Sequence, residues 1–292
     1  MKIGMGIPTA IPGKDAFLIP EWARQAEAAS FSSIGVTDRI VYSSCESMTV
    51  LAAMAGATTR IGLLSHVIIA PLRSPAMLAK QAASLDVISG GRLTLGLSVG
   101  QREDDYTATL ASYHDRGKRF DEQLALMKRI WEGQPFSQEV GAIGPLPVQP
   151  GGPEIIIGAL SLAGIRRVGR WASGYIGGVV GPDSTNQCYQ MVKQSWQEAG
   201  RPGKPRLLAC AYFGLGPDAR ERSQAAVKKY YSYRGPLSDV IAGMVAATKE
   251  ELHTVIQRYA EIGTDELILV ACVPEVDQVA RLADALGSER AV

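Results

Sequence analysis

The sequence predicts an α/β protein, a single (β/α)8 TIM barrel that occupies residues 1–292 as one domain. Eight apolar, β-rich stretches alternate with helical patterns, and 292 residues are enough for one barrel of this kind. A doubly wound open sheet is the alternative, but it would need a glycine-rich turn after its first strand, and no G-x-G-x-x-G pattern occurs. The predicted strands are Lys2–Ile7, Ser33–Thr37, Ile61–Ile69, Leu93–Val99, Glu154–Gly158, Gly174–Val180, Arg206–Gly214 and Glu266–Ala271.

The third and fourth strands, with the helix between them, carry the clearest pattern. Arg60–Ala70 is apolar and β-rich, Pro75 begins a helix, and Ser89-Gly90-Gly91 ends it before the next strand. In such a βαβ crossover the ligand site lies beyond the carboxyl ends of the strands. Those ends are Ser65-His66-Val67 and Ser98-Val99-Gly100-Gln101, which are small or polar. We therefore expect the ligand site of the barrel beside them.

Two connections are longer than closure of a barrel requires, and they follow the fourth and seventh strands. The first, Gln101–Pro153, contains a helix near Arg119–Trp131 and a loop rich in Pro and Gly. The second contains helices near Pro217–Tyr231 and Thr248–Ala260, and the latter begins with the capping-box pattern T-x-x-E. Long segments above the carboxyl ends of barrel strands commonly form lids and substrate walls.

Two polar or aromatic clusters in these connections are further candidates. Tyr230, Tyr231 and Tyr233 are a candidate substrate wall, and at least one should be exposed because positions i, i+1 and i+3 cannot all face one side of a helix. A second cluster precedes a long helix and resembles a network at its N-terminus more than a catalytic triad; its members are His114, Arg116 and Arg119.

Composition excludes several classes of function. The net charge is +1 with both signs spread along the chain, which gives no argument for nucleic acid or an anionic membrane as a partner. The N-terminus lacks the apolar core of a signal peptide, and no apolar run approaches the ~20 residues of a membrane span, so we expect a cytoplasmic protein. We expect no metal site, because the histidines have no ligand-like spacing and no CxxC occurs; the cysteines, far apart, are Cys45, Cys188, Cys210 and Cys272.

Four segments, in the same order along the chain, resemble the bacterial luciferase-like flavin or deazaflavin oxidoreductases. They read MKIGMGIP…AEAASFSSIGVTDR, PLRSPAMLAKQAASLDVISGGRLTLGLSVG, REDDY…RGKRFDEQLALMKRIWEG and IIIGALSLAGIRRVGRWASGYI. The likeness runs from Met1 to about Tyr175 and, more faintly, to the end of the chain. It implies a TIM barrel, an oxidoreductase and a flavin or deazaflavin cofactor, and a homodimer is common among such proteins.

The resemblance implies that the flavin ring lies against the end of the third strand. In that family a bulge, often with a non-proline cis peptide, supports the ring there, which places the bulge at His66–Val67 or one residue earlier and makes Ser65, His66 and Val67 cofactor-binding candidates. The matching aspartate, Asp38, contacts the polar edge of the ring. From the residues alone, His66 can instead point at a neighbouring helix. Asp38 can cap a helix or pair with Arg39.

For the flavin phosphate, the resemblance implies the turn after the fifth strand, Gly158-Ala159-Leu160-Ser161, where a helix begins at once and offers free backbone N–H groups. Ser161 can bind the phosphate or only cap the helix. The general rule for barrels gives an alternative site near Gly214–Pro217 and Cys272–Pro274.

The chain departs from the family's pattern at the end of the fourth strand. Luciferase has an arginine for the FMN phosphate where this chain has Val99. The neighbouring Gly100, Gln101 and Arg102 are therefore cofactor-binding candidates, although Arg102 can equally pair with Glu103 or Asp104.

Asp38, Arg39 and His66 are the candidate catalytic residues. Related deazaflavin-dependent dehydrogenases have a histidine at Arg39 and an acid at Gln101, so the pair that would abstract a hydroxyl proton is missing here. The sequence therefore favours a two-component monooxygenase, in which FMNH2 from a separate reductase and O2 oxygenate a small organic substrate that the tyrosines suggest is aromatic or polycyclic. The alternatives are a deazaflavin-dependent reductase or dehydrogenase, and a flavin-binding barrel without catalysis.

Overall fold

The strands of the chain form one closed parallel barrel. The computed structural model describes residues 1–10 and 13–287, so residues 288–292 of the predicted domain lie outside the described residues. The strands are β1 Lys2–Gly6, β2 Ser33–Val36, β3 Gly62–Ser65, β4 Ile68–Ile69, β5 Leu93–Ser98, β6 Glu154–Ile157, β7 Gly174–Gly177, β8 Arg206–Phe213 and β9 Glu266–Ala271. Their order, β3-β2-β1-β9-β8-β7-β6-β5-β4, closes through a pairing of β3 with β5. The prediction of a (β/α)8 barrel is confirmed.

The third strand of the barrel is divided into two short segments. β3 pairs with both β2 and β5, whereas β4 pairs with β5 further along. Between them lies the His66–Val67 peptide bond, which is cis. β3 and β4 are therefore two halves of one barrel strand. The bulge and cis bond that the resemblance implied lie at His66–Val67.

Helices cover the outside of the barrel and form most of the two long connections. They are α1 Ile19–Ala28, α2 Ser47–Ala57, α3 Pro75–Ser89, α4 Glu103–Ala108, α5 Arg116–Trp131, α6 Leu162–Trp171, α7 Pro182–Glu198, α8 Ala219–Tyr230, α9 Leu237–Gly243, α10 Lys249–Glu261 and α11 Gln278–Leu286. The first connection carries α4 and α5, and the second carries α8, α9 and α10. Short 3-10 helices lie at Gly13–Leu18, Ala70–Leu72 and Ser232–Arg234.

The ends of these helices follow the signals in the sequence. Pro75 begins α3, where its missing N–H costs no hydrogen bond, and Gly90 ends that helix with a φ of 67°, in the left-handed region that glycine tolerates. At α10, the Thr248 hydroxyl accepts from the Glu251 N–H at 3.2 Å, and the Glu251 carboxylate accepts from the Ala247 N–H at 2.8 Å. The predicted capping box is confirmed, with its return bond one residue earlier than expected.

A polar network closes the amino-terminal end of the barrel. Arg206 pairs with Glu154 at 2.5 Å and with Glu266, whose carboxylate also accepts from the Ser33 hydroxyl at 2.6 Å. Above this network the interior is apolar and contains Ile156, Ile176, Leu208, Ile268 and other buried side chains. The network and this apolar layer separate the amino-terminal end from the carboxyl ends of the strands, where barrels of this kind bind their ligands.

Two further features were searched for in the described part of the chain, a metal site and a membrane-spanning helix. Among the described residues, no group of three or more His, Cys, Asp or Glu is arranged to hold a metal ion. None of the helices in residues 1–10 and 13–287 combines the length and the apolar character that a membrane span requires.

Candidate functional site

Two adjoining cavities open at the carboxyl-terminal end of the barrel. The first, the tyrosine lobe, has a volume of about 220 Å³ and is lined by Tyr212, Tyr230, Tyr231 and Tyr233 among others. The second, the glycine lobe, has a volume of about 320 Å³ and is lined by glycines that include Gly158, Gly164, Gly177 and Gly178. The two lobes share a wall formed by His66, Val67, Ser98, Gly100, Gln101 and Leu160. They are therefore two parts of one site, which meet at the cis peptide bond.

His66 lies in the barrel interior below this junction. Its Nδ1 is 3.1 Å from the Thr37 hydroxyl oxygen, and its Nε2 is a buried polar atom without a hydrogen-bond partner in the described residues. The ring fits because Gly6 and Gly35 lack side chains: a Cβ on Gly35 would come within 2.6 Å of the His66 Cδ2. Burial lowers the pKa of His66 to about 4, so the ring is neutral near pH 7. The alternative in which His66 points at a neighbouring helix is wrong.

The low pKa of His66 should make stability depend on pH. As pH falls below 6.5, the unfolded chain takes up a proton that the folded state resists until about pH 4. We therefore expect the free energy of unfolding to fall by about 2 kcal/mol more in the wild type than in His66→Gln between about pH 7.5 and 5. Urea unfolding at the two pH values measures this difference. An equal loss of unfolding free energy in both proteins would contradict the low pKa of His66.

Asp38 is buried at the end of β2, and four hydrogen bonds occupy its carboxylate. Arg73 binds both oxygens, at 2.6 and 2.9 Å, while the Ser47 hydroxyl donates at 2.7 Å and the Ile69 N–H at 3.0 Å. Its ion-pair partner is thus Arg73, and the alternative in which Asp38 pairs with Arg39 is wrong. Since Ile69 belongs to β4, this carboxylate fixes the second half of the divided strand. The contact between Asp38 and the flavin ring stays a prediction. Each of the two carboxylate oxygens already accepts two hydrogen bonds.

Arg39 is a buried cation in the wall of the tyrosine lobe. Its Nε donates to Asp105 at 2.7 Å and its Nη2 to the Val41 carbonyl at 2.8 Å, whereas its Nη1 has no partner among the described residues. The guanidinium lies 5.5 and 5.8 Å from the ring centres of Tyr42 and Tyr230. Arg39 therefore brings a fixed charge and one free donor to this lobe, but no proton acceptor.

The other predicted residues at the ends of the third and fourth barrel strands fall into two groups. Val67, Gly100 and Gln101 line both lobes. The prediction that Ser65 binds the cofactor is wrong. Its side chain is fully buried and its hydroxyl donates to the Gly96 carbonyl at 2.9 Å, so it does not reach the cavity. Arg102 lines only the tyrosine lobe in these two cavities.

Arg102 makes the pairing that the sequence left as an alternative. It binds Asp104 with two nitrogens, at 3.2 and 2.6 Å, and stacks on the Tyr233 ring at 4.4 Å. Gln101 accepts a hydrogen bond from Arg234. These contacts close the mouth of the tyrosine lobe and place Arg102 away from the glycine lobe.

The glycine lobe ends at the start of α6. Ser161 caps this helix by accepting from the Gly164 N–H at 3.2 Å, and it lines the lobe together with Gly158, Ala159 and Leu160. At the alternative phosphate site near the seventh and eighth strands, the Leu215 N–H is already bound to Gln278 at 2.8 Å. The structure thus favours the α6 end for an anion.

Sequence reasoning missed two arginines in this lobe. Arg116 and Arg167 both line it, and the Nε of Arg116 is buried without a partner in the described residues. Arg167 is held by Asp121 at 3.0 Å. One signal was available for Arg116, since a cation in the first turn of α5 opposes the helix dipole. The cluster predicted at the start of this helix therefore has two kinds of member. Arg116 lines the glycine lobe, whereas Arg119 donates to the Pro71 carbonyl at 2.5 Å.

The predicted aromatic wall is present. Tyr230 contacts Tyr42 and Tyr231 edge-on, with ring centres 5.3 and 4.8 Å apart, and Tyr231 lies 6.3 Å from Tyr212. Tyr233 is 43% exposed, which confirms that at least one of the three tyrosines faces solvent. Burial raises the pKa of Tyr231 to about 12, so its hydroxyl is neutral near pH 7.

Known proteins with a similar sequence or fold identify the family of this chain. The model of the luciferase-like monooxygenase family matches residues 1–287. The chain belongs to the luciferase-like monooxygenase family. It is therefore an oxidoreductase, and its family uses flavin or deazaflavin cofactors.

Similar members of the luciferase-like monooxygenase family differ in what their names describe. An uncharacterised protein of Mycobacterium tuberculosis is 29% identical over 235 residues, 70% of this chain and 80% of that protein. Monooxygenase RslO1 of Streptomyces bottropensis has a TM-score of 0.79 at 20% identity over 98% of this chain and 97% of its own. An F420-dependent secondary alcohol dehydrogenase also has a TM-score of 0.79, at 18% identity over 98% and 97%. The two structures share the fold.

The residues in this luciferase-like site fit a flavin. Three residues that line the two lobes have a buried donor or acceptor without a partner among the described residues: His66 at Nε2, Arg39 at Nη1 and Arg116 at Nε. Buried polar atoms of this kind normally have a partner. A planar ring at the junction with an anionic chain toward α6 would supply an acceptor for Arg116 and would leave Arg39 to a second ligand in the tyrosine lobe.

Proposed function

We propose that the protein is the oxygenating component of a two-component monooxygenase. In this proposal it takes FMNH2 from a separate flavin reductase and uses O2 to oxygenate a small organic substrate with an aromatic or polycyclic body. Its cofactor would lie across the junction of the two lobes, with the substrate in the tyrosine lobe. The observation that carries the proposal is the chemistry of the tyrosine lobe.

Burial moves the pKa of several polar groups in the tyrosine lobe away from neutral. His66 is neutral because burial lowers its pKa to about 4. Burial raises the pKa of the Cys210 thiol and of the Tyr231 hydroxyl to about 12. The carboxylates of Asp38 and Asp105 are paired with arginines. A lobe of this kind can exclude water and orient a substrate, but it is poorly equipped to take a proton from a hydroxyl.

Each part of the chain then has a defined task. Ser161 and the start of α6, with Arg116, would bind the phosphate of FMNH2. The junction at His66 and Val67 would lie behind the ring, and the tyrosines would keep water from it. When bound, the reduced flavin supplies the electrons for activation of O2, which needs no acid or base from the protein.

A deazaflavin-dependent reductase is the second candidate, because the dehydrogenase structure and the monooxygenase structure match this chain equally well in fold. Two residues argue against the dehydrogenase reaction. Arg39 is held in an ion pair with Asp105, and the Gln101 amide accepts a hydrogen bond from Arg234, so neither position offers a base.

Anaerobic titration with FMNH2 and, separately, with the reduced deazaflavin coenzyme tests the proposal, followed by admission of O2. We expect FMNH2 to bind with a Kd in the micromolar range or below. We also expect bound FMNH2 to be reoxidised at a rate different from that of free FMNH2. Binding of deazaflavin alone, with no reaction with O2, would establish the hydride-transfer alternative. Binding of neither would establish a barrel without this chemistry.

A further inference from the structure

Arg39, a residue in the wall of the tyrosine lobe, carries one strong hydrogen-bond donor that no described residue accepts. The side chain of Arg39 is 2% exposed, and its Nη1 is a buried atom with no partner among the described residues. A guanidinium keeps its charge when buried, and a buried charged donor without an acceptor is costly. Flanking rings of Tyr42 and Tyr230 hold the group in place.

The acceptors around Arg39 are already occupied. Asp105 receives the Arg39 Nε with one oxygen and the N–H groups of Ile40 and Val41 with the other, at 3.1 and 2.7 Å. The carboxylate of Asp38 is saturated by Arg73 and its other donors. The two carboxylates that line the lobe therefore provide no partner for Nη1.

Two further cations stand at the mouth of the same lobe. Arg102 is paired with Asp104 and stacked on Tyr233. The contacts described for Arg234 are with neutral groups, the Gln101 amide and the Tyr233 hydroxyl and ring. The lobe thus combines an aromatic wall with donors and a cation, Arg234, whose described contacts are all neutral, and this favours an anionic ligand.

We propose that the tyrosine lobe selects an aromatic substrate that carries an anionic oxygen, a carboxylate or a phenolate, and that Arg39 binds this oxygen through Nη1. The inference rests on the proposed function only in naming the ligand a substrate. The aromatic body packs against Tyr230 and Tyr231, and the oxygen supplies the acceptor that the buried guanidinium lacks. Arg39 is then a specificity-determining residue and not an acid or a base.

The test compares two probes of the same shape, 1-naphthoate and 1-naphthalenemethanol, by anaerobic calorimetry with and without saturating FMNH2. We expect the wild type to bind naphthoate about 10- to 100-fold more tightly than the alcohol, the range of a charge-assisted hydrogen bond. The measurement without FMNH2 tests anion selection even if FMNH2 does not bind. Failure of the monooxygenase proposal and failure of this inference are therefore distinguishable. Equal affinities for the two probes would overturn the inference.

Variants of Arg39 and its neighbours test which residue causes the preference for naphthoate over the alcohol. Arg39→Gln combined with Asp105→Asn removes the donor without leaving a buried charge, and it should bring the two affinities together. Arg39→Lys keeps the charge but not the forked donor, so it should weaken naphthoate binding roughly tenfold even if the double variant does not fold. Arg234→Gln removes one cation at the mouth of the lobe and should lower the preference less than the double variant does.

Three results would overturn the role of Arg39. The first is unchanged naphthoate affinity in Arg39→Lys. The second is a loss of the preference in Arg234→Gln as large as in the double variant, which would assign the selectivity to diffuse charge. The third is a loss of FMNH2 affinity in the Arg39 variants with the ratio of the two probes intact, which would assign Nη1 to the flavin.

Discussion

Replacing Asp38 by alanine should lower the free energy of unfolding by about 3–5 kcal/mol, the cost of breaking a buried ion pair from one side. The Asp38 and Arg73 side chains are 1% and 12% exposed, so Arg73 would be left charged in the barrel wall. The Ile69 N–H and the Ser47 hydroxyl would lose their acceptor as well. Because Ile69 is the last residue of β4, the second half of the divided strand, the damage should also reach the floor of the site.

Glu46→Ala is the matched control for this substitution. Glu46 binds the same guanidinium at 2.9 Å, but its own side chain is 42% exposed, so its loss should cost less than about 1 kcal/mol. Urea unfolding of the wild type and both variants measures the contrast. Similar stability in Asp38→Ala and the wild type would show that the carboxylate is not structural, and its predicted contact with the flavin ring would then regain support.

Replacing Arg116 by methionine should weaken FMNH2 binding about 10- to 100-fold, the usual cost of losing a charged donor to a phosphate. The Nε of Arg116 is buried and unpaired among the described residues, and it lies in the lobe that ends at Ser161. Ser161→Ala should weaken binding less, because the backbone N–H groups of α6 would remain. Anaerobic fluorescence titration with FMNH2 gives the three dissociation constants.

Arg170→Met is the control for the loss of a positive charge. Arg170 lies near the end of α6 and stacks on Trp171 at 4.7 Å, outside the residues that line the glycine lobe. Its removal should leave FMNH2 affinity within about twofold, since an exposed charge at this distance is screened by salt. If Arg116→Met binds FMNH2 as tightly as Arg170→Met, the phosphate does not lie in the glycine lobe.

The fold was predictable because its signals are local. The βαβ unit from Arg60 to Gly100 shows the reason: apolar runs define the strands, Pro75 and Gly90 mark the ends of the helix, and parallel topology then fixes where the strands end. The cis bond at His66–Val67 followed from the resemblance to a family and not from the periodicity of the sequence.

The partners inside the site were not predictable, because they join residues far apart in sequence. The sequence offered the neighbouring Arg39 as an alternative partner for Asp38, but Asp38 pairs with Arg73, which a different connection brings to the same wall. Ser65 looked like a site residue because it is polar at a strand end, yet Gly96 on the adjacent strand provides its acceptor. Which donors remain without a partner, as Arg39 Nη1 does, depends on three-dimensional packing and is invisible in a pattern.

A structure of the protein with bound FMN tests the central claim most directly, that the two lobes form one flavin and substrate site. The account predicts the phosphate within hydrogen-bond distance of Ser161, the start of α6 and Arg116. It also predicts the ring against the His66–Val67 bond, with the tyrosine lobe open beside it for the substrate. A phosphate bound elsewhere, or a ring that fills the tyrosine lobe and takes Arg39 Nη1 for itself, would contradict the account.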